Sequence, residues 1–573
     1  MGVATQFPKH RTWGFPMQNM KNKLLFIAGL LVPALLVSVL FTVAAASADT
    51  SSCPNCGMVW KDTCVPFERN NETAYNAELG ASFTPIAANL TPVPDFSSRS
   101  WSDAFLSAHN LLKERYAFSQ WKSIDWDRLY NTYAPKIADA QNKQDKAAYY
   151  RALREYLFEI PDAHVNIMPT TGDFGAKYAD IGGSYGFALS RLDSGKVIVS
   201  YVANGSAAEK TGIQPGAEVW AWNGKEIVDA IKATPHIWSA TKPSTAEGIL
   251  LQKTRFLTRA PVGTPATITI TNKSGSEIRT VNLTAYDDGY YTLTKTTTFL
   301  GKQINDVGVA RSWEDIKPQI SNDTVTYRTL PGGYSYIAIY GESYDGYQPF
   351  KSAMQSAIAN KTPGIVIDLR YNGGGDDNIA SCFAGWFVNK PVFYEYATKY
   401  DPGSRKFTIT SEAWTQPQPN GYHGPVAVLV SPYTMSSGEG LPMVFANSGT
   451  GTIISWYGTN GAFGMNTVEA GMPLGQILFF PDGASLDQNA TVQLDSNAAL
   501  HGGVAPQIRV PINEDTVARS MAGEDVQMTY ALKWLDEQAK PETTTSSPTQ
   551  RAAPGIAIVI VMLGLLVVMR GPK

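Results

Sequence analysis

From residue 334 to 458 the chain alternates short apolar runs with helical stretches, and this alternation limits its fold more than any other feature. "YSYIAIY" (334–340), "GIVIDL" (364–369), "VAVLV" (426–430) and "GTIISWYG" (451–458) read as strands. Helical patterns near 347–360, after 376 and after 437 separate them. Strands joined through helices do not close as hairpins, so the pattern predicts an α/β sheet with parallel strands. A last helix, with Met528, Ala531, Leu532 and Leu535 on one face, closes the folded body.

Ligands of open α/β sheets collect at the carboxyl ends of strands. Two strand ends here carry unusual residues. "GIVIDLRYNGGGDD" runs out in Arg370, Asn372 and three glycines, Gly373 to Gly375. "VAVLVSPYTMSSGEG" runs out in Ser431, Ser436, Ser437 and Glu439. Glycines after a strand let backbone N–H groups approach a substrate, as an oxyanion hole or a phosphate nest requires. A serine on a strand-to-helix turn gains exposure and the field of the helix dipole. Its plain alternative is a polar helix cap.

Upstream, residues 98–162 read helical. Trp101, Phe105, Ala108 and Leu112 share one face, as do Tyr150, Leu153, Leu157 and Ile160. "IPDAHVNIMP" (160–169) breaks the pattern. Residues 180–285 are β-rich and punctuated by turns, and 286–330 carry no clear period. A formal net charge of −3 gives no electrostatic argument for nucleic acid, and no GxxxxGK[ST] phosphate loop is present.

The motifs taken together resemble the S41 serine peptidases, the C-terminal processing and tricorn-type proteases. "DLRYNGGG" is similar to the family's DLRxNxGG, "VLVSPYTMSSGE" to its serine motif, and "HGGVAPQIRV" (501–510) to a turn near the end of its core. "SYGF" (184–187) and "GSAAEKTGIQPGAEVWAWNG" resemble a PDZ domain. The resemblance implies an α/β catalytic core of ClpP/crotonase-like βα units (331–540). It further implies a helical region (98–170), an inserted, mostly-β PDZ-like domain (180–285) and a connecting segment (286–330). It also implies an activity, hydrolysis of peptide bonds in protein or peptide substrates without metal or organic cofactor. A silent surface protein that binds peptides through the PDZ-like domain is the rival expectation.

Within that resemblance the nucleophile is Ser436, three residues before Glu439. Gly374 and Ser437 would supply oxyanion-hole amides, and Tyr185, Gly186 and Phe187 the peptide-binding loop. The lysine of the C-terminal processing branch has no counterpart, because no lysine occurs between Ser436 and Lys533. The tricorn-type branch implies a histidine base, which falls on His164. His501 is the main rival. A carboxylate should orient the imidazole. Asp495 is nearest the family's position; Asp162 and Glu469 are the alternatives.

The ends suggest a membrane. Residues 24–46 are apolar apart from Ser38 and Thr42, with "AAASADT" offering a cleavage site, so 1–48 reads as a signal peptide or signal anchor. Cys53, Cys56 and Cys64 fall in 49–97, where a disulfide and a metal site are both open. A Thr/Ser/Pro stalk (541–553) precedes an apolar run with a basic end (554–573). That arrangement resembles the sorting tails of archaeal surface proteins and reads as an anchor or sorting tail. The expectation is an extracytoplasmic, membrane-anchored protein whose terminal segments touch the membrane.

Overall fold

Apolar runs and helical periods together build three packed units. The computed structural model describes residues 93–168, 170, 173–272, 277–296, 320–321 and 324–539. The apolar stretches at both ends and Cys53, Cys56 and Cys64 lie outside them. Among the described residues no helix is long and apolar enough to cross a membrane.

The first unit holds helices α1 (Trp101–Arg115), α2 (Trp126–Lys143) and α3 (Lys146–Phe158). Ser100, Asp125 and Asp145 cap them by accepting an amide of the first turn. The faces predicted from sequence are buried, with Phe105, Leu112, Leu153 and Ile160 in one core. After α3 come strand β1 (Asn166–Met168) and helix α4 (Phe174–Ile181).

The second unit is an antiparallel sheet ordered β2 (Phe187–Arg191), β3 (Val197–Val202), β4 (Glu218–Trp222), β5 (Pro265–Thr271) and β6 (Ile278–Thr284). β2 is an edge, and helix α5 (Ala246–Phe256) packs against it. Tyr185 and Phe187 are buried in this unit's own core, and Tyr185 packs edge-on to Trp222. The Gly186 amide donates to Ser184 Oγ at 3.0 Å.

The third unit carries the alternation. Strands β7 (Val325–Thr329), β8 (Ser335–Ile339), β9 (Ile365–Asp368), β10 (Val426–Leu429), β11 (Thr452–Ser455) and β14 (Ile508–Arg509) stand in that order. From β8 to β14 every pairing is parallel. β7 runs antiparallel to β8, so the sheet begins before residue 331, inside the segment expected to be a connector. Helices α6 (Tyr344–Ala359), α7 (Asp377–Gly385) and α8 (Ser437–Ser448) pack on one face. Helix α9 (Val526–Gln538) packs on the other, with Met528, Ala531 and Leu535 buried. Cys382 on α7 is buried in this core and makes no disulfide among the described residues.

One pairing crosses the units. β12 (Met465–Gly471) and β13 (Ile477–Gly483), late in the chain, form a small sheet in which β13 pairs with β1 (Asn166↔Phe479). Val468, Ala470, Leu478 and Phe480 join the helical core. The helical region is therefore built into the catalytic core, which brings the segment ahead of β1 to the end of the parallel sheet.

Candidate active site

The two βα turns after β9 and β10 are stitched together. Ser431 Oγ donates to Arg370 O (2.5 Å), Thr434 Oγ1 to Leu369 O (2.7 Å), and the Met435 amide to Asn372 O (3.1 Å). These bonds account for the hydroxyls ahead of the candidate nucleophile. Arg370 is itself a strut. Its buried guanidinium pairs with Asp368 and with Asp525, the N-cap of α9, pinning the end of β9 to the last helix.

Ser436 stands at the N-cap of α8 with φ 56° and ψ −142°, a strained conformation for a residue with a Cβ. Its amide donates to Ala462 O at 2.8 Å. The loop carrying Ala462 hangs on Glu439: Gly461 and Ala462 amides donate to its carboxylate at 3.0 and 2.8 Å, and the Thr459 hydroxyl donates too. Burial pushes the Glu439 carboxyl up to about 7 against the pull of these donors.

Gly374 has φ 96°, and a Cβ there would collide with Ser436 Cβ and reach its Oγ at 3.0 Å. Only glycine lets the two turns close this tightly. Its amide, however, donates to Asn372 Oδ1 at 2.9 Å, and Asn372 Nδ2 donates to Glu342 Oε1 at 2.6 Å. The expected donor is thus already engaged. The Gly375 and Ser437 amides make no hydrogen bond among the described residues.

His164 lies in the turn between α3 and β1. Ala163 shares a buried apolar cluster with Met435 and Ala462, so the chain neighbours of His164 and Ser436 meet. His164 is buried, and neither ring nitrogen has a hydrogen-bond partner among the described residues. Its Nδ1 lies 3.4 Å from Asp162 Oδ1. That oxygen also accepts the His164 amide (2.9 Å), while Oδ2 accepts the Tyr116 hydroxyl (2.8 Å).

Asp495, the carboxylate expected beside the imidazole, has other partners. Oδ2 accepts the Phe463 amide at 3.1 Å, and Oδ1 is 4.0 Å from Lys122 Nζ. Burial, then Asp162 and Glu439, push its carboxyl well above the usual range, opposed by Lys122. Burial acts the same way on Asp162, but His164, Lys122 and Tyr116 win and hold it below the usual range. The two carboxyls are thus pushed in opposite directions, Asp162 down and Asp495 up. The rival His501 is exposed in a late turn.

Comparison with known families decides what these motifs belong to. The model of Peptidase family S41 matches residues 333–510, and that of the tricorn protease C1 domain matches residues 97–148. Residues 333–510 belong to peptidase family S41. The S41 region holds Ser436, Ser437, Gly374 and Asp495, whereas His164 and Asp162 fall outside both matches. Among solved structures, mature CPAF aligns over 77% of this chain and 96% of its own, at 13% identity and a TM-score of 0.50. At that identity the likeness is one of fold. The tricorn protease (17% identity, 77% of this chain, 37% of that one, TM-score 0.37) also matches. So does the photosystem II D1 C-terminal processing protease (18%, 75%, 98%, 0.34). No curated protein matches in sequence.

Two features of this site had no usable sequence signal. Lysines do reach the site, from upstream: Lys122 Nζ donates to Ser496 O (2.7 Å), and Lys242 Nζ to Val165 O (2.9 Å). Lys242 braces the loop around His164, and Lys122 braces the turn that carries Asp495 and Ser496. The Glu342–Asn372 bond depends on β8 and β9 lying side by side, and nothing in their spacing announces it.

Proposed function

We propose that the chain hydrolyses peptide bonds with Ser436 as nucleophile, His164 as general base and Asp162 as the carboxylate that orients the imidazole. His164 takes the Ser436 proton as Oγ attacks the carbonyl carbon, then returns it to the departing amine. Water repeats the cycle and releases the acyl group from Ser436. The developing oxyanion is stabilised by the Ser437 amide with that of Gly375, the neighbour of the expected Gly374. What carries this reading is the Ala163–Met435–Ala462 cluster, which joins the two loops beside a buried histidine whose Nδ1 lies 3.4 Å from Asp162.

The β-rich unit acts as a PDZ-like substrate module. Its support is the free edge of β2 beside α5, an arrangement suited to strand addition. A small cavity of about 50 Å³ lies there, lined in part by Leu189, Leu251, Tyr457 and Ile512. The apolar ends of the sequence favour an extracytoplasmic, membrane-tethered protein, which fractionation with and without residues 554–573 tests.

A fluorophosphonate probe tests the chemistry. Wild type should be labelled at Ser436, and Ser436→Ala and His164→Ala should not. Full labelling of His164→Ala would end the assignment of the base.

A further inference from the structure

The histidine turn and the serine loop belong to different units. Among the described residues no hydrogen bond runs directly from residues 160–165 to residues 431–437. A third segment, Lys242 to Thr245, lies between them just ahead of α5.

Ser244 is wholly buried. Its hydroxyl accepts the Ala163 amide at 3.0 Å and donates to Asn460 Oδ1 at 2.7 Å. Asn460 in turn frames the serine loop. Its amide donates to Thr434 O (2.8 Å), and its Nδ2 donates to Pro432 O (2.8 Å) and Lys242 O (3.2 Å). One oxygen atom thereby completes a path of hydrogen bonds from the residue before His164 to the residues just ahead of Ser436.

The segment that carries this oxygen is itself held. Thr245 caps α5 by accepting the Gly248 amide (3.2 Å), and the Ala246 amide donates to Leu500 O (3.0 Å). A Cβ on Gly461, where φ is 78°, would lie 2.8 Å from Thr245 Cγ2. Glycine at 461 therefore lets the segment lean on the loop that Glu439 suspends. Lys242 Nζ donates to Leu157 O and Val165 O. His164 is thus gripped on both sides, by Ser244 at the Ala163 amide and by Lys242 at the Val165 carbonyl. A general base works only within hydrogen-bond reach of its proton, and a misplacement of about 1 Å can cost about 10² in rate.

We propose that Ser244 is a positioning residue, whose hydroxyl sets the histidine turn at its working distance from the serine loop. It acts through Ala163 and Asn460, not on the reacting atoms, and this role rests on the peptidase reading above. A buried hydroxyl that only added stability would change how much protein is folded. It would leave alone the rate at which folded protein reacts.

The rate and the final extent of fluorophosphonate labelling at Ser436 are therefore read separately on the full-length protein. Ser244→Ala should slow labelling about thirtyfold, while the labelled fraction still reaches that of wild type. Thr398→Val removes a comparable buried hydroxyl from another sheet, one that donates to Ala484 O (3.0 Å) and accepts the Ala484 amide (2.8 Å). It should label within about twofold of the wild-type rate. If Ser244→Ala does not fold, Ser244→Cys carries the test, because a thiol is a weaker donor and acceptor; about a tenfold loss is then expected. Labelling of the Ser244 variant within about threefold of wild type overturns the proposal. So does a loss confined to the labelled fraction, or an equal loss of rate in Thr398→Val. In each of those cases wild type is still labelled and the peptidase reading stands. If wild type is not labelled, that reading fails and the role of Ser244 falls with it.

Discussion

Gly374 and Ser436 approach so closely that a methyl group on the first would lie 2.4 Å from the second's Cβ. Two turns from different strands are thereby locked face to face, and the strained serine is held from both sides. Gly374→Ala meets both a positive φ and this collision. It should cost on the order of 3 kcal/mol of stability and lower probe labelling of Ser436 at least a hundredfold. Thermal unfolding and labelling rates check the two effects separately.

The division between Asp162 and Asp495 makes a second expectation. Asp162→Asn removes the charge beside Nδ1 and should lower the acylation rate by about 10³. Asp495→Asn changes a carboxyl whose partners are the Phe463 amide and Lys122, not the imidazole, and should cost less than tenfold. Rates of fluorophosphonate labelling for the two variants measure the contrast, and a reversed order would return Asp495 to the place beside the histidine.

Arg370 holds Asp368 and Asp525 in a buried three-membered ion group. Arg370→Met leaves two carboxylates without their cation and should destabilise by about 3–5 kcal/mol. Arg370→Lys recovers little, because an ammonium cannot reproduce the paired bonds to both acids. Denaturant titration reads both.

Stability should fall as the solution becomes more alkaline. Burial raises Asp377 to about 6, Glu439 to about 7 and Glu342 to about 8. Each binds its proton more tightly folded than unfolded. The stabilisation is complete below ~4, the range of unfolded carboxyls, and is lost as pH rises through these values. Glu342→Gln mimics the protonated acid and keeps an oxygen for Asn372. It should make the slope of unfolding free energy against pH shallower between about 4 and 8.

Much of this was legible in the sequence because it is local. β9, β10 and the helices after them follow from runs and turns a few residues long. The position of Ser436 follows from its distance to Glu439. The parts that were not legible depend on distant partners. Asp495 is the carboxylate nearest the family's position, yet its cation partner is Lys122 from the helical region, which no spacing relates to it. The Gly374 amide was a sound expectation for an oxyanion donor until Asn372 Oδ1 claimed it across a turn. β7 hid in a polar segment because its pairing with β8, and not its own composition, makes it a strand.

The pairing of β1 with β13 has a consequence for how the enzyme comes into being. Asn166 meets Phe479 across about 300 intervening residues, which a ribosome adds over some tens of seconds. Until then the strand that follows the histidine turn has no partner to pair with. A partly made polypeptide would carry both reactive groups without the means to join them. Synthesis itself would postpone proteolysis until the molecule is nearly finished.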